Sequence, residues 1–349
     1  VSTSPKISVV GASGYSGLEL LRILLQHPAV DLASVTSRSE AGRTVAQVFP
    51  RFRHIANADT LTFTPPDPAA IAASGAQIAL LALPHGVAAP YAADLLDLGL
   101  RVIDLSADFR LRSPALYEDF YGPGHPAPQL LAQALYGLPE WRATEIAQAQ
   151  LVAAPGCYPT SILLPLLPLL RDRLVDPTSL CVASMSGVSG AGRSPSLPLL
   201  YCEANGSVRP YGAPRHRHLA EIEQELALAA GQPLTIRFVP HLVPITQGIA
   251  TTIFAQPTPG TEPKHIASSL HAAYHDAPLV RLLPDGELPD TKNVAATAFI
   301  DIAHAHDPRT GGLLLFSAED NLGKGAAAQA VQCLNLMLGL PTSQGLLRV

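Results

Sequence analysis

Lys6-Ile-Ser-Val-Val10, running straight into Gly11-Ala-Ser-Gly14-Tyr-Ser-Gly17, decides how the chain is read. A short apolar run of strand character leads into a glycine-spaced turn, and the turn opens a helical segment of about Ser16–Gln26. The glycines then have separate tasks: a tight turn, room for a pyrophosphate to reach the backbone, and close packing of helix on sheet. This context predicts dinucleotide binding by Gly11, Ser13, Gly14, Tyr15, Ser16 and Gly17.

Outward from this motif the rhythm repeats. Strands Asp31–Thr36, Gln77–Leu83 and Arg101–Asp104, with a helix near Val87–Leu98, alternate as in a parallel α/β sheet of the Rossmann type. Where an NAD-selective fold ends its second strand on an acidic residue, this chain has Thr36-Ser37-Arg38, a hydroxyl and a guanidinium suited to a 2′-phosphate. NADP (NADPH) is therefore the expected cofactor, held by Ser37 and Arg38; the plainer reading of Arg38 is a solvated loop residue. His85, in Pro84-His85-Gly86, follows another strand end, where a role in lining the crevice and a role in the turn are equally compatible with its position.

After Cys157 the pattern changes. Longer strands at Ser179–Met185, Leu234–Pro240, Gly248–Gln256 and Val294–Ile302, with helices near His218–Ala230 and Pro263–Tyr274, indicate a mixed α+β second domain. A last helical stretch, Gly323–Leu338, is of the kind that returns to an earlier domain. The expected division is 1–156 plus 318–349 for the dinucleotide-binding domain, and 157–317 for the catalytic, substrate and oligomerisation domain.

Composition limits the function classes. At 349 residues, 48% hydrophobic and 15% charged, with net charge −5, the chain has the profile of a soluble globular protein, and nucleic acid and acidic membranes are not expected partners. Ile162–Leu170 falls far short of the ~20 apolar residues that span a bilayer and contains Pro165 and Pro168, so it reads as buried core. The N-terminal residues show no basic region followed by a long apolar stretch, so no secretory signal is expected. The four cysteines form no CxxC pair, which suggests neither zinc nor a redox motif and fits a reducing cytoplasm.

Ala154-Pro-Gly-Cys157-Tyr-Pro-Thr160 follows the apolar Leu151-Val-Ala153 and precedes a helical run, which places Cys157 at a helix N-terminus, where a thiolate is favoured. An isolated cysteine is usually inert core, but the flanking Pro and Gly turn the backbone and keep bulk from the sulfur. Cys181, Cys202 and Cys333 lack that context. Tyr211-Gly-Ala-Pro-Arg215-His216-Arg217-His218 supplies imidazoles for proton transfer within a cationic cluster, and either histidine can be the acid/base. No third ligand lies nearby in sequence, so no metal is expected. Arg110, in Ser106-Ala-Asp-Phe-Arg110, and the loop Ser186–Arg193 offer donors for phosphate or carboxylate, and read equally well as surface loops.

Taken together, these motifs resemble the N-acetyl-γ-glutamyl-phosphate reductase family over nearly the whole chain. The glycine turn, Ser37-Arg38, Leu83–Gly86, Asp104–Arg110, Pro155–Thr160, Ser186–Gly192, His216–His218, His241–Pro244 and Asp320–Gly325 occur in the family's order. The resemblance implies a semialdehyde dehydrogenase type of fold, an acyl-phosphate substrate, a Cys157 thioester reduced by NADPH, and His218 as acid/base. It further implies substrate contacts from Arg110, Tyr211 and His216, cofactor contacts from Pro84, Ser189 and Asn321, and a cytoplasmic homodimer or homotetramer. The chain departs from the family pattern at Leu219-Ala220, Gln247, Ser161, Pro165 and Ala298. Related acyl-phosphate reductases acting on aspartyl or aminoadipyl phosphates, and a silent NADP-binding regulator, are the competing expectations.

Overall fold

The computed structural model describes residues 4–347. They form two compact units, the first holding the chain through Pro155 together with the stretch from Ala326 onward, the second Gly156–Gly325.

In the first unit, strands β1 (Lys6–Val10), β2 (Asp31–Thr36), β3 (Phe63–Thr64), β4 (Ile78–Leu81), β5 (Arg101–Asp104), β6 (Ala134–Tyr136) and β7 (Leu151–Ala153) form one sheet. Its order is β3-β2-β1-β4-β5-β7-β6, and every pairing is parallel. Crossover helices cover such sheets on both faces, which is why β4 reads as an unbroken apolar run. The strand order reverses between β1 and β4, so the glycine turn and Pro84-His85-Gly86 both emerge at the switch point where open α/β sheets bind ligands. The C-terminal helix Ala328–Met337 packs on the helix Pro139–Gln148, with Gln332 Nε2 donating to Glu140 Oε1 at 3.0 Å.

The second unit contains β8 (Cys181–Ser186), β9 (Arg209–Pro210), β10 (Arg237–Leu242), β11 (Ile249–Ala255), β12 (Val280–Leu282), β13 (Ile300–Asp307) and β14 (Gly312–Glu319), in the mixed order β12-β13-β14-β11-β8-β10-β9. The helix Cys157–Arg171 packs on β11 and β14, and the helices Leu219–Ala230 and Pro263–Tyr274 pack against it. Strand alternation follows from this one-sided cover: Ser184, Thr251, Ile253, Leu315 and Ser317 are buried, while their neighbours Met185 and Phe254 on the other face are 50% and 49% exposed.

The helix Cys157–Arg171 is continuous despite Pro165 and Pro168 inside it. Each proline lacks an N–H, so the carbonyls of Ser161 and Leu164, four residues earlier, lose their helical partners. Ser317 Oγ donates to Ser161 O at 2.6 Å, and the Tyr274 hydroxyl donates to Leu164 O. Ser161 Oγ, Ser184 Oγ and Thr251 Oγ1 form a buried hydroxyl chain at 2.8 Å spacings. Ser161 and Pro165 thus belong to one hydrogen-bonded unit that holds the helix on the sheet.

Sequence reading misplaces four features. The strand expected at Val294–Ile302 begins only at Ile300, because a 3-10 turn at Thr291–Asn293 and a left-handed Ala296 (φ +60°), tied to the Asp320 carboxylate, fill the preceding residues. The expected return to the first domain at 318 comes at Ala326, since β14 runs to Glu319 in the second sheet and Asp320 caps the turn after it, accepting from the N–H groups of Leu322 and Gly323. Residue 156, expected in the first domain, lies in the second, where it caps the helix of Cys157. The helix expected from Gly323 starts as a π turn and becomes α-helical at Ala328.

Candidate active site

Cys157 is the first residue of a 15-residue helix whose N-cap, Gly156, is extended and whose first turn carries no acidic side chain. The helix dipole there favours a negatively charged sulfur. The backbone around it admits no extra bulk. A Cβ on Gly156 would stand 2.7 Å from His218 Nε2 and 2.8 Å from Glu221 Oε1, and one on Gly325 would stand 2.8 Å from Cys157 Cβ and 2.9 Å from Glu319 Oε1. The His218 ring therefore lies directly on the residue preceding the nucleophile. Glu221, which is buried, accepts the Gly156 N–H at 3.2 Å and has an oxygen 3.9 Å from His218 Nε2.

An aromatic cluster forms the rest of this wall. The hydroxyls of Tyr158 and Tyr211 are 2.6 Å apart, and the Tyr158 ring meets His216, His218 and Phe238 at centroid distances of 5.4, 5.9 and 5.3 Å. Burial, opposed by the bond from Tyr158 and reinforced by the negative charge of Cys157, pushes Tyr211 up to about 12, so it remains a neutral hydroxyl. His216 is pushed down to about 4, chiefly by burial and then by Arg217. Its Nδ1 accepts the His218 backbone N–H at 3.2 Å, so the neutral ring carries its proton on Nε2. His216 is thus a neutral donor at pH 7 rather than the cation its sequence context suggests.

A stability effect follows from the same shift. Below the unfolded value of 6.5 the unfolded chain binds a proton that folded His216 does not bind until about pH 4. Stability is therefore lost as pH falls through that window, by up to roughly 3 kcal/mol. His216→Gln is expected to lessen the drop in urea midpoint between pH 7 and pH 5; an unchanged drop would show that His216 titrates normally.

In the first unit the structure brings together several of the residues assigned to the cofactor. Gly11 has φ +80°, and a Cβ there would lie 2.6 Å from Ala82 O; one on Gly17 would lie 2.5 Å from the Ala12 backbone. A Cβ on Gly14 would meet nothing within 4 Å, and the helix it caps, Tyr15–Leu24, has no side-chain cap, which leaves open space and free N–H groups for a phosphate. Ser13 Oγ and Ser37 Oγ are 2.8 Å apart, and Arg38 is exposed with no ion pair among the described residues. This cradle fits a dinucleotide.

Other assigned residues are engaged within the protein. Asn321 accepts the Gly248 N–H at 2.7 Å and donates to Ser189 Oγ at 3.0 Å, so the two brace the loop after β8. Arg110 is buried, with Nε donating to Ala154 O and Nη2 to Leu105 O. Gln247 Nε2 points to Asp320 Oδ1 at 3.5 Å. Sequence reasoning passed over Glu221, although its spacing from His218 is the one that puts helical residues on a common face. Gly325, which packs against Cys157, and the buried Glu319 beside Gly325 are brought there only through tertiary structure.

Residues 157–321 match the family model described as semialdehyde dehydrogenase, dimerisation domain, and residues 6–149 that described as semialdehyde dehydrogenase, NAD binding domain. The N-acetyl-gamma-glutamyl-phosphate reductase of Akkermansia muciniphila is 55% identical over 341 residues, 98% of each chain. The chain belongs to the N-acetyl-gamma-glutamyl-phosphate reductase family. Another reductase of that name, from Geobacter metallireducens, is 48% identical over 97% of each chain. Among solved structures, aspartate semialdehyde dehydrogenase II from Vibrio cholerae superposes with a TM-score of 0.73 at 18% identity, covering 97% of this chain and 99% of its own. Aspartate semialdehyde dehydrogenase with NADP from Candida albicans gives 0.70 at 14% identity, covering 95% and 99%. These likenesses show a shared fold.

Proposed function

We propose that the protein reduces N-acetyl-L-glutamyl 5-phosphate to N-acetyl-L-glutamate 5-semialdehyde and phosphate in arginine biosynthesis, through a thioester on Cys157. The observation that carries this reading is Cys157 at the start of its helix with the His218 ring packed on Gly156. The Cys157 sulfur attacks the acyl carbon, the bond from that carbon to the phosphate oxygen breaks, and His218 gives the departing phosphate its proton. Bound NADPH supplies the hydride that reduces the thioester. The carbon–sulfur bond then breaks, releasing the aldehyde and returning the thiolate. Tyr211 and neutral His216 donate hydrogen bonds to the substrate's anionic groups, and Arg110 is assigned to the same groups by its guanidinium.

Selection of NADPH over NADH rests on Thr36-Ser37-Arg38 in place of an acidic residue, with Ser37 and the exposed Arg38 guanidinium receiving the 2′-phosphate. Pro84, Ser189 and Asn321 shape the cofactor's surroundings. The protein acts in the cytoplasm as a homo-oligomer, a dimer or tetramer, built on the open sheet face that carries Met185 and Phe254. A monomeric wild type in sedimentation would contradict that assembly.

Steady-state assays with each nucleotide and with N-acetylglutamyl and aspartyl phosphates test the reading. Wild type should turn over the first substrate with NADPH, and Arg38→Ala should reduce the preference for NADPH over NADH by about tenfold or more. Turnover of aspartyl phosphate alone would reassign the substrate.

A further inference from the structure

The helix Ala88–Asp97, which follows the Pro84-His85-Gly86 turn, has Val87 at its N-cap and no side-chain cap of its own. The missing acceptor comes from a different loop. Asp108, fully buried after β5, accepts the Gly86 N–H at 2.6 Å through Oδ1 and the Ala89 N–H at 2.9 Å through Oδ2, so one carboxylate fixes both the end of the turn and the first helical turn.

Asp108 is itself held on several sides. The Tyr117 hydroxyl donates to Oδ1 at 3.1 Å, the Asp108 N–H donates to Ser106 Oγ at 3.1 Å, and His125 Nε2 donates to the Asp108 carbonyl at 2.6 Å. The donor assignment for His125 follows from its Nδ1, which accepts the Ala127 N–H. Ser106 in turn donates Oγ–H to Asp104 Oδ2 at 2.6 Å. Burial, with the charge of Asp108 second, pushes Asp104 up to about 7. A ladder of rings runs from the same centre to the outside of the turn: Tyr117 stacks on Tyr121 at 5.1 Å, and Tyr121 meets the His85 ring at 5.7 Å.

This arrangement braces a segment that borders the glycine turn. The backbone of Ala82, just ahead of Pro84, is the group against which Gly11 packs, and the Ala82 N–H donates to Val10 O at 2.8 Å. We propose that Asp108 is a positioning residue for nucleotide binding, holding the Pro84-His85-Gly86 turn beside the glycine turn at the switch point of the sheet. The inference rests on the reading of this unit as the nucleotide-binding one. Asp108 acts through backbone N–H groups and needs no contact with the nucleotide. Its loss should therefore weaken the nucleotide complex and leave reactions of Cys157 untouched.

The test measures NADPH affinity by fluorescence titration, together with KM for NADPH, kcat at saturating NADPH, and the rate of Cys157 alkylation. In Asp108→Asn one N–H acceptor becomes an amide donor, and the expected result is about a tenfold rise in Kd and KM for NADPH, with kcat and alkylation within about twofold of wild type. Tyr117→Phe keeps the ring ladder and removes only the hydroxyl bond, so a rise of about threefold is expected, and it carries the test should Asp108→Asn fail to fold. Unchanged NADPH affinity in the folded variants, or a fall in kcat at saturation as large as the rise in KM, would overturn the proposal. Failure of wild type itself to bind NADPH would overturn the cofactor reading instead, so the two failures are distinguishable.

Discussion

Cys157→Ser is expected to lower acyl-phosphate reduction by at least about a thousandfold, because a serine hydroxyl stays protonated where a thiolate at a helix N-terminus does not. Affinity for NADPH should be unchanged, since the glycine turn, Ser37 and Arg38 belong to the other unit. Single-turnover measurements at saturating NADPH read the chemical step without interference from product release. Activity within tenfold of wild type would move the nucleophile elsewhere. The other cysteines are poor substitutes: Cys333 is buried against the Gly137 carbonyl, Cys181 lies beside Arg237 on the open sheet face, and Cys202 is exposed on a short helix.

The second large effect is expected from a residue with no reactive group. Gly156→Ala places a methyl group 2.7 Å from His218 Nε2 and 2.8 Å from Glu221 Oε1, well inside contact distance. Gly156 is extended, so the backbone tolerates alanine, and relief must come from movement of the histidine. A shift of about half an ångström or more at an acid/base group costs roughly a hundredfold in rate. The variant should keep a reactive Cys157, read by alkylation, and lose kcat rather than NADPH affinity. Near-normal turnover in Gly156→Ala would mean that His218 does not need its present position, and would return the acid/base role to His216.

The contrast between the two histidines illustrates how far sequence reading reaches. Their spacing marks both as proton carriers, but only the structure reveals that burial keeps His216 neutral and that the His218 backbone occupies its Nδ1. The glycine turn was legible because its logic is local: strand, turn and helix follow one another within a few residues. The helix start at Cys157 was legible for the same reason, through the Pro and Gly around it. Arg110 reads as an anion donor by type, yet its Nε and Nη2 serve main-chain carbonyls, which depends on where Leu105 and Ala154 come together. The prolines inside the helix of Cys157 read only as marks of buried core rather than a membrane span. They are accommodated by Ser317 and Tyr274, donors more than a hundred residues away in the chain. The late start of β13 has a similar cause, since the left-handed turn at Ala296 is fixed by Asp320. Sequence reading reaches local structure where its signal is contiguous and misses what depends on a distant partner.

The central claim is the covalent intermediate on Cys157, and mass spectrometry tests it most directly. Wild-type protein mixed with N-acetylglutamyl phosphate in the absence of NADPH, quenched in acid and digested, should carry an N-acetylglutamyl group on the Cys157 peptide, with stoichiometric release of phosphate. Addition of NADPH before the quench should remove the label and yield the semialdehyde. A wild type that turns over yet shows no adduct, or carries it on another residue, would contradict the thioester route.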